Sequence, residues 1–382
     1  MPHRFELIPM PASREPATLL AVDRAVSEIR RGRFVAIRGA GGTAVLALAA
    51  EGATPETLSQ LSAASHSRLS LMITARRAAV LELVQAAINP VHLSFESELT
   101  ADAVQALADP LAEVSLKNLH IKAVETERYS GNCASVGLAK IARLLPVTVV
   151  APLEDPNADD LAAWTARHDI LLVDAGDIFQ YEHTSARRLT IVSEASVPLL
   201  DAEESRVIAF RPVDGGLEHI AIIIGDPAQS DDAVLARIHS ECFTGDLLGS
   251  LRCDCGDQLR GAIQEIATAG NGVLLYLAQE GRGIGLVNKL RAYTLQDRGF
   301  DTLDANEQLG FDADERVYLP AAQMLRQLGF TKIRLMTNNP EKVETMMRCG
   351  VEVTEQVSHA FPSNEHNEAY LNTKAARLGH QF

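Results

Sequence analysis

The sequence has few cysteines, few aromatic residues and fewer basic than acidic side chains. Aromatic residues make up 5% of the chain, and 35 Lys and Arg face 50 Asp and Glu, for a formal net charge of -15. Proteins that coat nucleic acid or bind anionic membranes carry a net basic surface. The charge therefore argues against nucleic-acid and membrane partners, although it does not exclude a local basic pocket.

Long apolar runs and targeting features are also missing. A charge-free, mostly apolar stretch runs from about residue 39 to residue 50, too short to span a bilayer. The first residues include Arg4, Glu6 and Arg14 and show no apolar signal region, so no secretory signal is expected. Five cysteines are a low, odd number for this length and argue against a disulfide scaffold. A reducing, cytoplasmic location is predicted.

The length of 382 residues predicts two or three domains. In the first part, helices are expected over 21–31 and 159–168, and strands over 33–37, 147–151 and 170–173. A polar, acidic stretch at 198–204 marks the boundary, so the predicted domains are 1–200 and 201–382. Alternating strands and helices predict the α/β (α+β) class, with two mixed-sheet domains.

The second part shows a clear series of strands that end in polar loops. Strands are expected over 206–210, 219–224, 234–238, 273–277 and 332–336. After the last of these, Asn339 can cap a helix, Pro340 suits its first position and Gly350 can close it. The strand ends of this part can therefore present the loops of a site.

The cysteines at 242, 253 and 255 have a spacing that suits a metal. Side chains two apart fall on one side of an extended segment, so Cys253 and Cys255 can reach one ion. A third thiolate from Cys242 would give three soft ligands that favour zinc, with the open position of a catalytic site. Two alternatives stay open: His239 completes a structural zinc site, or the cysteines are buried thiols without metal.

A glycine-rich segment follows the strand expected over 273–277. It reads Glu-Gly-Arg-Gly-Ile-Gly at 280–285 and precedes a helix through Tyr293. Glycines allow a backbone to approach a ligand closely. The segment matches neither the phosphate loop GxxxxGK[ST] nor the dinucleotide motif GxGxxG, so alone it indicates a tight strand-to-helix turn.

Ordered motifs run through the second part of the chain. They are Arg-Ile-His-Ser-Glu-Cys at 237–242, Ser-Leu-Arg-Cys-Asp-Cys-Gly at 250–256, Gln-Glu-Gly-Arg-Gly-Ile-Gly at 279–285, Asn-Lys-Leu-Arg-Ala-Tyr at 288–293, Gln-Leu-Gly-Phe at 308–311, Ala-Asp-Glu-Arg at 313–316 and Thr-Asn-Asn-Pro at 337–340. Together they resemble GTP cyclohydrolase II from about residue 205 to residue 380. The motifs are long, ordered and jointly specific.

The first part is similar, more weakly, to 3,4-dihydroxy-2-butanone 4-phosphate synthase, a domain often fused ahead of GTP cyclohydrolase II. The likeness rests on the opening helix and strand, on Ala-Asp-Pro at 108–110 and on the stretch 147–181. The acidic loop of that family is replaced by Arg-Gly-Ala-Gly-Gly-Thr at 38–43, and its Gly-His-Thr-Glu-Ala by Gly-Asn-Cys-Ala-Ser at 131–135. Metal and sugar-phosphate chemistry needs those carboxylates and that imidazole. A degenerate, catalytically inactive synthase-like domain is therefore expected.

The resemblance implies hydrolytic opening of the guanine imidazole ring of GTP, with loss of formate and pyrophosphate, at the start of riboflavin synthesis. It implies one zinc ion per chain on Cys242, Cys253 and Cys255, Mg²⁺ with the substrate phosphates, and a homodimer. The implied catalytic residues are Asp314 as proton acceptor, Arg316 as nucleophile on the α-phosphorus and Tyr293 as a positioning or proton-donating group. The implied GTP contacts are Arg237, Ile238, His239, Ser240, Glu241, Gln258, Glu280, Gly281, Arg282, Thr302, Thr337 and Lys342.

Alternatives remain for several roles. The pKa of arginine exceeds about 12, which makes nucleophilic attack demanding, so Arg316 is equally a clamp on the α-phosphate that Asp314 orients. For Tyr293, the less favoured alternative is a core aromatic on its helix. For the whole protein, the competing functions are a regulator that binds GTP without turnover and a bifunctional synthase and cyclohydrolase.

Overall fold

The strands of the chain build two separate sheets. The computed structural model describes residues 15–112, 119–153, 160–227 and 233–367, together with 375 and 377. The chain divides into an N-terminal unit, residues 1–185 with 307–311, and a C-terminal unit, residues 186–306 with 312–382. Each unit contains one seven-stranded sheet, which confirms the predicted pair of mixed-sheet α/β domains.

The N-terminal sheet has the strand order β5-β4-β3-β6-β2-β1-β7. Neighbouring strands are antiparallel except β1 and β7, which are parallel. The strands are β1 (Val35–Arg38), β2 (Ala44–Ala49), β3 (Ser70–Ile73), β4 (Val91–Phe95), β5 (Ile121–Glu125), β6 (Val147–Pro152) and β7 (Leu172–Asp174). Its helices are α1 (Glu15–Arg30), α2 (Pro55–Ser65), α3 (Ala75–Val80), α4 (Ala101–Ala108), α5 (Gly131–Ile141), α6 (Leu161–Arg167) and α7 (Ala175–Arg187).

The elements predicted for this half are present. The strand expected over 147–151 is β6, and the helix expected over 21–31 begins earlier, at Glu15. Asp159, where a second helix was expected to begin, lies outside the described residues, and α6 begins at Leu161. Buried aliphatic side chains of α1, α5 and the central strands form one core, which includes Val22 and Val150.

The C-terminal sheet has the strand order β14-β13-β11-β12-β10-β9-β8. The four strands from β14 to β12 are parallel, and β10, β9 and β8 continue the sheet antiparallel. The strands are β8 (Leu189–Ser196), β9 (Ser205–Pro212), β10 (His219–Ile224), β11 (Val234–Ser240), β12 (Gly272–Leu277), β13 (Lys332–Met336) and β14 (Glu352–Val357). The helices are α8 (Cys255–Thr268), α9 (Leu286–Asp297), α10 (Thr302–Gln308), α11 (Leu319–Gln327) and α12 (Pro340–Arg348).

The strand and the helix-capping residues predicted around residues 332–350 are confirmed in this unit. The strand expected over 332–336 has those bounds, and the Asn339 side chain caps α12 by accepting the N–H of Glu341 at 3.0 Å. Pro340 is the first helical residue, and Gly350 follows the helix with a φ of +82°. One difference concerns the boundary between domains: β8, which precedes residue 200, pairs with β9 and belongs to the C-terminal sheet.

This topology brings the polar loops together. The neighbouring parallel strands β13, β11 and β12 run in one direction, so the loops after residues 336, 240 and 277 leave the same edge of the sheet. In open α/β sheets, ligands bind at the carboxyl ends of such strands. Among the described helices, none is long and apolar enough to cross a membrane.

Candidate active site

Three thiols meet where β11 ends and α8 begins. Cys242 follows the carboxyl end of β11, Cys253 lies in the connecting loop and Cys255 is the first residue of α8. Their Sγ atoms lie within 4.8 Å of one another, with 3.7 Å between Cys242 and Cys253. The prediction that Cys253 and Cys255 lie in an extended segment is wrong, because Cys255 already begins a helix. A loop-to-helix turn brings the two sulfurs together.

The thiol cluster fits a four-coordinate zinc. Tetrahedral zinc with bonds of about 2.3 Å places its sulfurs about 3.8 Å apart, close to the 3.7 Å between Cys242 and Cys253. A Cβ added at Gly245 would lie 2.8 Å from the Sγ of Cys253 and 3.0 Å from that of Cys242, so this backbone closes against the thiols. Within the described residues, these cysteines are the one group that could hold a metal ion with three or more Cys, His or acidic ligands.

His239 belongs to a network centred on Asp246. Its Nε2 lies 3.1 Å from both carboxylate oxygens of Asp246, which also accepts the Tyr276 hydroxyl and the N–H of Cys242, each at 2.9 Å. Burial lowers the pKa of His239, so the ring is neutral near pH 7 and donates from Nε2. The network holds the loop that carries Cys242. A role for His239 as fourth zinc ligand receives no support from this geometry.

A buried lysine faces the thiol cluster. The Nζ of Lys289, on α9, lies 3.0 Å from the Sγ of Cys242 and 2.8 Å from Oε1 of Glu280. Burial alone lowers the pKa of Lys289, but its bonds to Glu280 and Cys242 outweigh this and raise the pKa. Hydrogen bonds from the other two thiols, and then from Lys289, lower the pKa of Cys242. Glu280 also accepts the N–H of Phe243 at 2.6 Å, so it joins the glycine-rich segment to the cysteine loop.

Two of the predicted phosphate-binding cations are buried beneath the strand ends. Arg237, on β11, donates from Nη1 to the carbonyl of Met336 at 2.8 Å and from Nη2 to Oε1 of Gln258 at 2.6 Å. Burial lowers the pKa of Arg237 to about 10, so it stays charged at neutral pH. Lys342, in the first turn of α12, donates to the carbonyl of Ile238 at 3.1 Å. Both cations are therefore held in place by the ends of neighbouring strands.

The glycine-rich segment carries Arg282 in a left-handed backbone conformation. Gly281, Arg282 and Gly283 have φ angles of +64°, +59° and +97°. The carbonyl of Arg282 accepts the N–H of Glu315 at 3.1 Å, and a Cβ added at Gly283 would lie 2.8 Å from the carbonyl oxygen of Glu315. The segment therefore packs directly on the chain between Asp314 and Arg316.

Asp314 and Arg316 form a two-pronged ion pair. Nε of Arg316 lies 2.8 Å from Oδ1 and Nη2 lies 2.5 Å from Oδ2 of Asp314. Burial alone raises the pKa of Asp314, but the charge and hydrogen bonds of Arg316 outweigh this and lower it. Asp314 is therefore a carboxylate at neutral pH. The pair presents a guanidinium in fixed orientation, the geometry that suits recognition of a phosphate.

Tyr293, on α9, lies beside the thiol cluster. Its hydroxyl is 3.5 Å from Oγ1 of Thr244, which lies 3.8 Å from the Sγ of Cys242. The Nζ of Lys289 lies 5.8 Å from the centre of the Tyr293 ring. Burial raises the pKa of Tyr293 to about 12, so the phenol keeps its proton at neutral pH. The location places a proton donor near the cysteines.

The remaining predicted contacts lie at strand and helix ends. Thr302 begins α10 and interacts with a side-chain amide of α9 at 3.3 Å, whereas buried Thr337 accepts a backbone N–H two residues on at 3.1 Å. Ser240 ends β11, and its hydroxyl makes no hydrogen bond within the described residues. Glu241 follows it, half-buried. The predicted match beyond residue 367 falls almost wholly outside the described residues.

Sequence reasoning missed Lys289 and Asp246. Lys289 occurs in one of the motifs, but its contact with Cys242 joins residues 47 apart. Asp246 lies in the loop between the cysteines without any recognisable motif. A charged residue on the same helical face as buried Ala292 was the available signal for Lys289.

The fold and this site define an α/β enzyme in which three thiols that could hold a metal ion, together with several cations, gather at the carboxyl ends of parallel strands. Residues 190–358 match the family model described as GTP cyclohydrolase II. The chain is 55% identical over 370 residues to GTP cyclohydrolase-2 of Azospirillum brasilense, covering 96% of this chain and 95% of that protein. The chain therefore belongs to the GTP cyclohydrolase II family.

Other relatives cover parts of the chain. GTP cyclohydrolase-2 of Haemophilus influenzae is 50% identical over 193 residues, covering 50% of this chain and 89% of that protein. Riboflavin biosynthesis protein RibBA of Synechocystis is 43% identical over 253 residues, 65% of this chain and 45% of that protein. The solved structure of RibBX, a two-domain 3,4-dihydroxy-2-butanone 4-phosphate synthase from A. baumannii, aligns at 17% identity and a TM-score of 0.36, covering 89% of this chain and 99% of that chain.

Proposed function

We propose that the protein is a zinc-dependent enzyme that hydrolyses GTP to 2,5-diamino-6-(5-phospho-ribosylamino)pyrimidin-4(3H)-one, formate and pyrophosphate, the first step of riboflavin biosynthesis. One water is consumed for each of the three bonds broken: two bonds of guanine C8 and the bond between the α- and β-phosphates. The observation that carries the proposal is a thiol cluster of zinc dimensions in the same loop region as the Asp314–Arg316 pair. The cytoplasm, which keeps such thiols reduced, is the proposed location.

Zinc is the proposed resident metal, held by Cys242, Cys253 and Cys255. Guanine C8 is a weak electrophile, and a zinc ion in this site would supply a water nucleophile that ionises near neutral pH. Lys289 supports the thiolate form of Cys242 from 3.0 Å. Tyr293 keeps its proton and is the proposed donor to the ring nitrogen released from C8.

The triphosphate is proposed to bind Arg237, Arg282, Arg316 and Lys342, and Mg²⁺ bound with the substrate would offset part of its negative charge. A trianionic or tetra-anionic chain needs several fixed cations, and the backbone and side-chain bonds of Arg237 and Lys342 fix two of them. The ion pair supports the clamp function of Arg316, because a guanidinium held by Asp314 is a positioned cation and a poor nucleophile. Mass spectrometry of quenched enzyme should show no guanylyl adduct on Arg316.

For the purine, we propose Glu241 as the group that contacts the edge of the base. Two other candidates are engaged in the structure: Gln258 with Arg237 and Asp254, and Glu280 with Lys289 and the N–H of Phe243. These bonds favour support of the cations and of the cysteine loop as the roles of Gln258 and Glu280.

Turnover is the decisive test. Purified protein incubated with GTP, Mg²⁺ and zinc should release formate and pyrophosphate in equal amounts. Binding of GTP by zinc-loaded protein without formate would instead indicate the regulatory alternative. A bifunctional enzyme, which the RibBA relative brings into consideration, predicts dihydroxybutanone phosphate from ribulose 5-phosphate. The missing carboxylates and imidazole of the first half argue against that product, and a homodimer remains the proposed assembly.

A further inference from the structure

Tyr318 has a buried hydroxyl group for which the fold supplies no partner. The side chain is 8% exposed, and its hydroxyl makes no hydrogen bond within the described part of the chain. Leaving a buried polar group unpaired costs about 1–3 kcal/mol. Such groups are uncommon, and one at a functional site points to a ligand.

The surroundings of Tyr318 are strongly cationic. The guanidinium carbon of Arg316 lies 5.5 Å from the centre of the Tyr318 ring, and the Nζ of Lys342 lies 5.6 Å from it. Arg282 and Arg237 also interact electrostatically with this phenol, as do the carboxylates of Asp314 and Glu341. All four cations assigned above to the triphosphate therefore act on this phenol, and one of the two carboxylates, Asp314, is itself paired with Arg316.

The residues around Tyr318 also fix its position. It directly precedes α11, and the side-chain amide of Gln279 donates to the neighbouring carbonyl of Val317 at 2.6 Å. Gln279 follows β12, so this bond connects the Tyr318 backbone to the strand end that carries Glu280. Burial raises the pKa of Tyr318 to about 12, so it remains a hydrogen-bond donor at neutral pH.

We propose that the Tyr318 hydroxyl donates a hydrogen bond to a phosphate oxygen of the substrate and is a substrate-binding residue of this enzyme. The inference rests on the proposed function, since the same four cations define the phosphate site. A phosphate acceptor fits better than the guanine base, because the charged groups nearest the ring, Arg316 and Lys342, are cations.

The test compares the wild type with Tyr318→Phe, which removes only the hydroxyl, and with Tyr129→Phe, which removes an exposed phenol of the N-terminal unit. Calorimetry with inorganic tripolyphosphate and Mg²⁺ should show about tenfold or greater weakening for Tyr318→Phe and none for Tyr129→Phe. Guanosine affinity should be unchanged in both variants. The thermal midpoint of Tyr318→Phe should equal or exceed that of the wild type, because the lost hydroxyl has no hydrogen-bond partner among the described residues.

The outcomes separate this inference from the proposed function. If Tyr318→Phe binds tripolyphosphate with wild-type affinity, the inference alone is overturned. The inference is also overturned if the affinities for guanosine and tripolyphosphate fall equally, because that indicates a change in the shape of the site. A wild-type protein that binds no tripolyphosphate would overturn both the inference and the phosphate part of the proposed function. Formate release from GTP, measured separately, decides the reaction itself.

Discussion

At the scale of single residues, the three clustered cysteines are expected to bind zinc, whereas the two cysteines outside the cluster are not. We expect Cys253→Ser to lose bound zinc and to lower formate release by about 100-fold or more, because a hydroxyl is a poor zinc ligand. Cys349→Ser changes a half-buried thiol outside the cluster and should keep both the bound zinc and the rate of formate release. Metal analysis and a formate assay on the two variants check this. Full zinc content in Cys253→Ser would contradict the assignment.

His359 is expected to give the C-terminal unit a pH-dependent stability. It is buried, with Nε2 2.9 Å from the carbonyl of Gln258, and burial followed by the charge of Arg237 lowers its pKa. The unfolded chain then binds more protons below the ordinary histidine pKa of about 6.5, so stability falls as pH falls through that value. The loss is at most about 1.4 kcal/mol per pH unit for one histidine.

The measurement is the thermal midpoint at about pH 7.5 and about pH 5.5, on either side of the ordinary histidine pKa. His359→Gln should lose less stability between the two values than the wild type. His366→Gln, which changes an exposed histidine, should behave like the wild type. Equal losses in all three proteins would show that His359 does not contribute.

At the residue scale, spatial contacts could be predicted from sequence where one local motif held the information. The thiol cluster follows from the Cys-x-Cys spacing and one cysteine eleven positions earlier. The contacts of Lys289 and Asp246 could not be derived, because they depend on how α9 and β12 pack against the cysteine loop. The pairing of Asp314 with Arg316 joins residues two apart and was foreseen as one of two alternatives.

At the scale of elements, the glycine-rich segment positions the Asp314–Arg316 chain by close backbone contact. Gly283→Ala should lower kcat by about 10- to 100-fold, because its Cβ would lie 2.8 Å from the carbonyl oxygen of Glu315. Gly270→Ala is the matched control: its φ is +93° against +97°, but no heavy atom lies within 4 Å of the added Cβ. Both variants should lose about 1–2 kcal/mol of stability from backbone strain, and Gly283→Ala should lose more because of the contact with Glu315.

Steady-state kinetics and thermal unfolding of the two alanine variants separate strain from contact. If Gly270→Ala lowers kcat as much as Gly283→Ala, general destabilisation explains the loss and the segment has no positioning role. If Gly283→Ala alone loses turnover while it is still fully folded at the assay temperature, the contact with Glu315 is responsible.

Elements were predictable where their own sequence carried the signal. β13 and α12 were predicted because a buried strand leads into Asn339 and Pro340, a cap and a first-turn proline. β8 was missed because only Leu189 of its eight residues is buried, so it has no alternating hydrophobic pattern. β8 is an edge strand, and only its pairing with β9 in the structure shows that it is a strand of the C-terminal sheet. Because the sequence alone did not show this, the predicted domain boundary falls after β8.

At the scale of the whole molecule, the N-terminal unit includes five residues from the second half of the sequence. Residues 307–311 belong to it, and Leu309 and Phe311 are fully buried. Buried Arg77 donates from Nη1 to the carbonyl of Gln308 at 2.8 Å and from Nε to that of Leu107 at 2.9 Å. The N-terminal unit thus packs around the segment that leads, three residues later, into Asp314.

Arg77→Met in the full-length protein should therefore affect both stability and turnover. It leaves two carbonyl groups without their donor, which should lower the free energy of unfolding by about 2–4 kcal/mol. Formate release should also fall, because residues 307–311 continue directly into the Asp314–Arg316 pair. Arg76→Met is the control: Arg76 is half-exposed and pairs with Glu307 at 3.5 Å, a contact expected to contribute about 0–1 kcal/mol. Chemical denaturation and kinetics of the two variants would show whether the first half is needed for catalysis. If the Arg77→Met protein is destabilised but its kcat is unchanged, the contacts of Arg77 contribute to folding and not to catalysis.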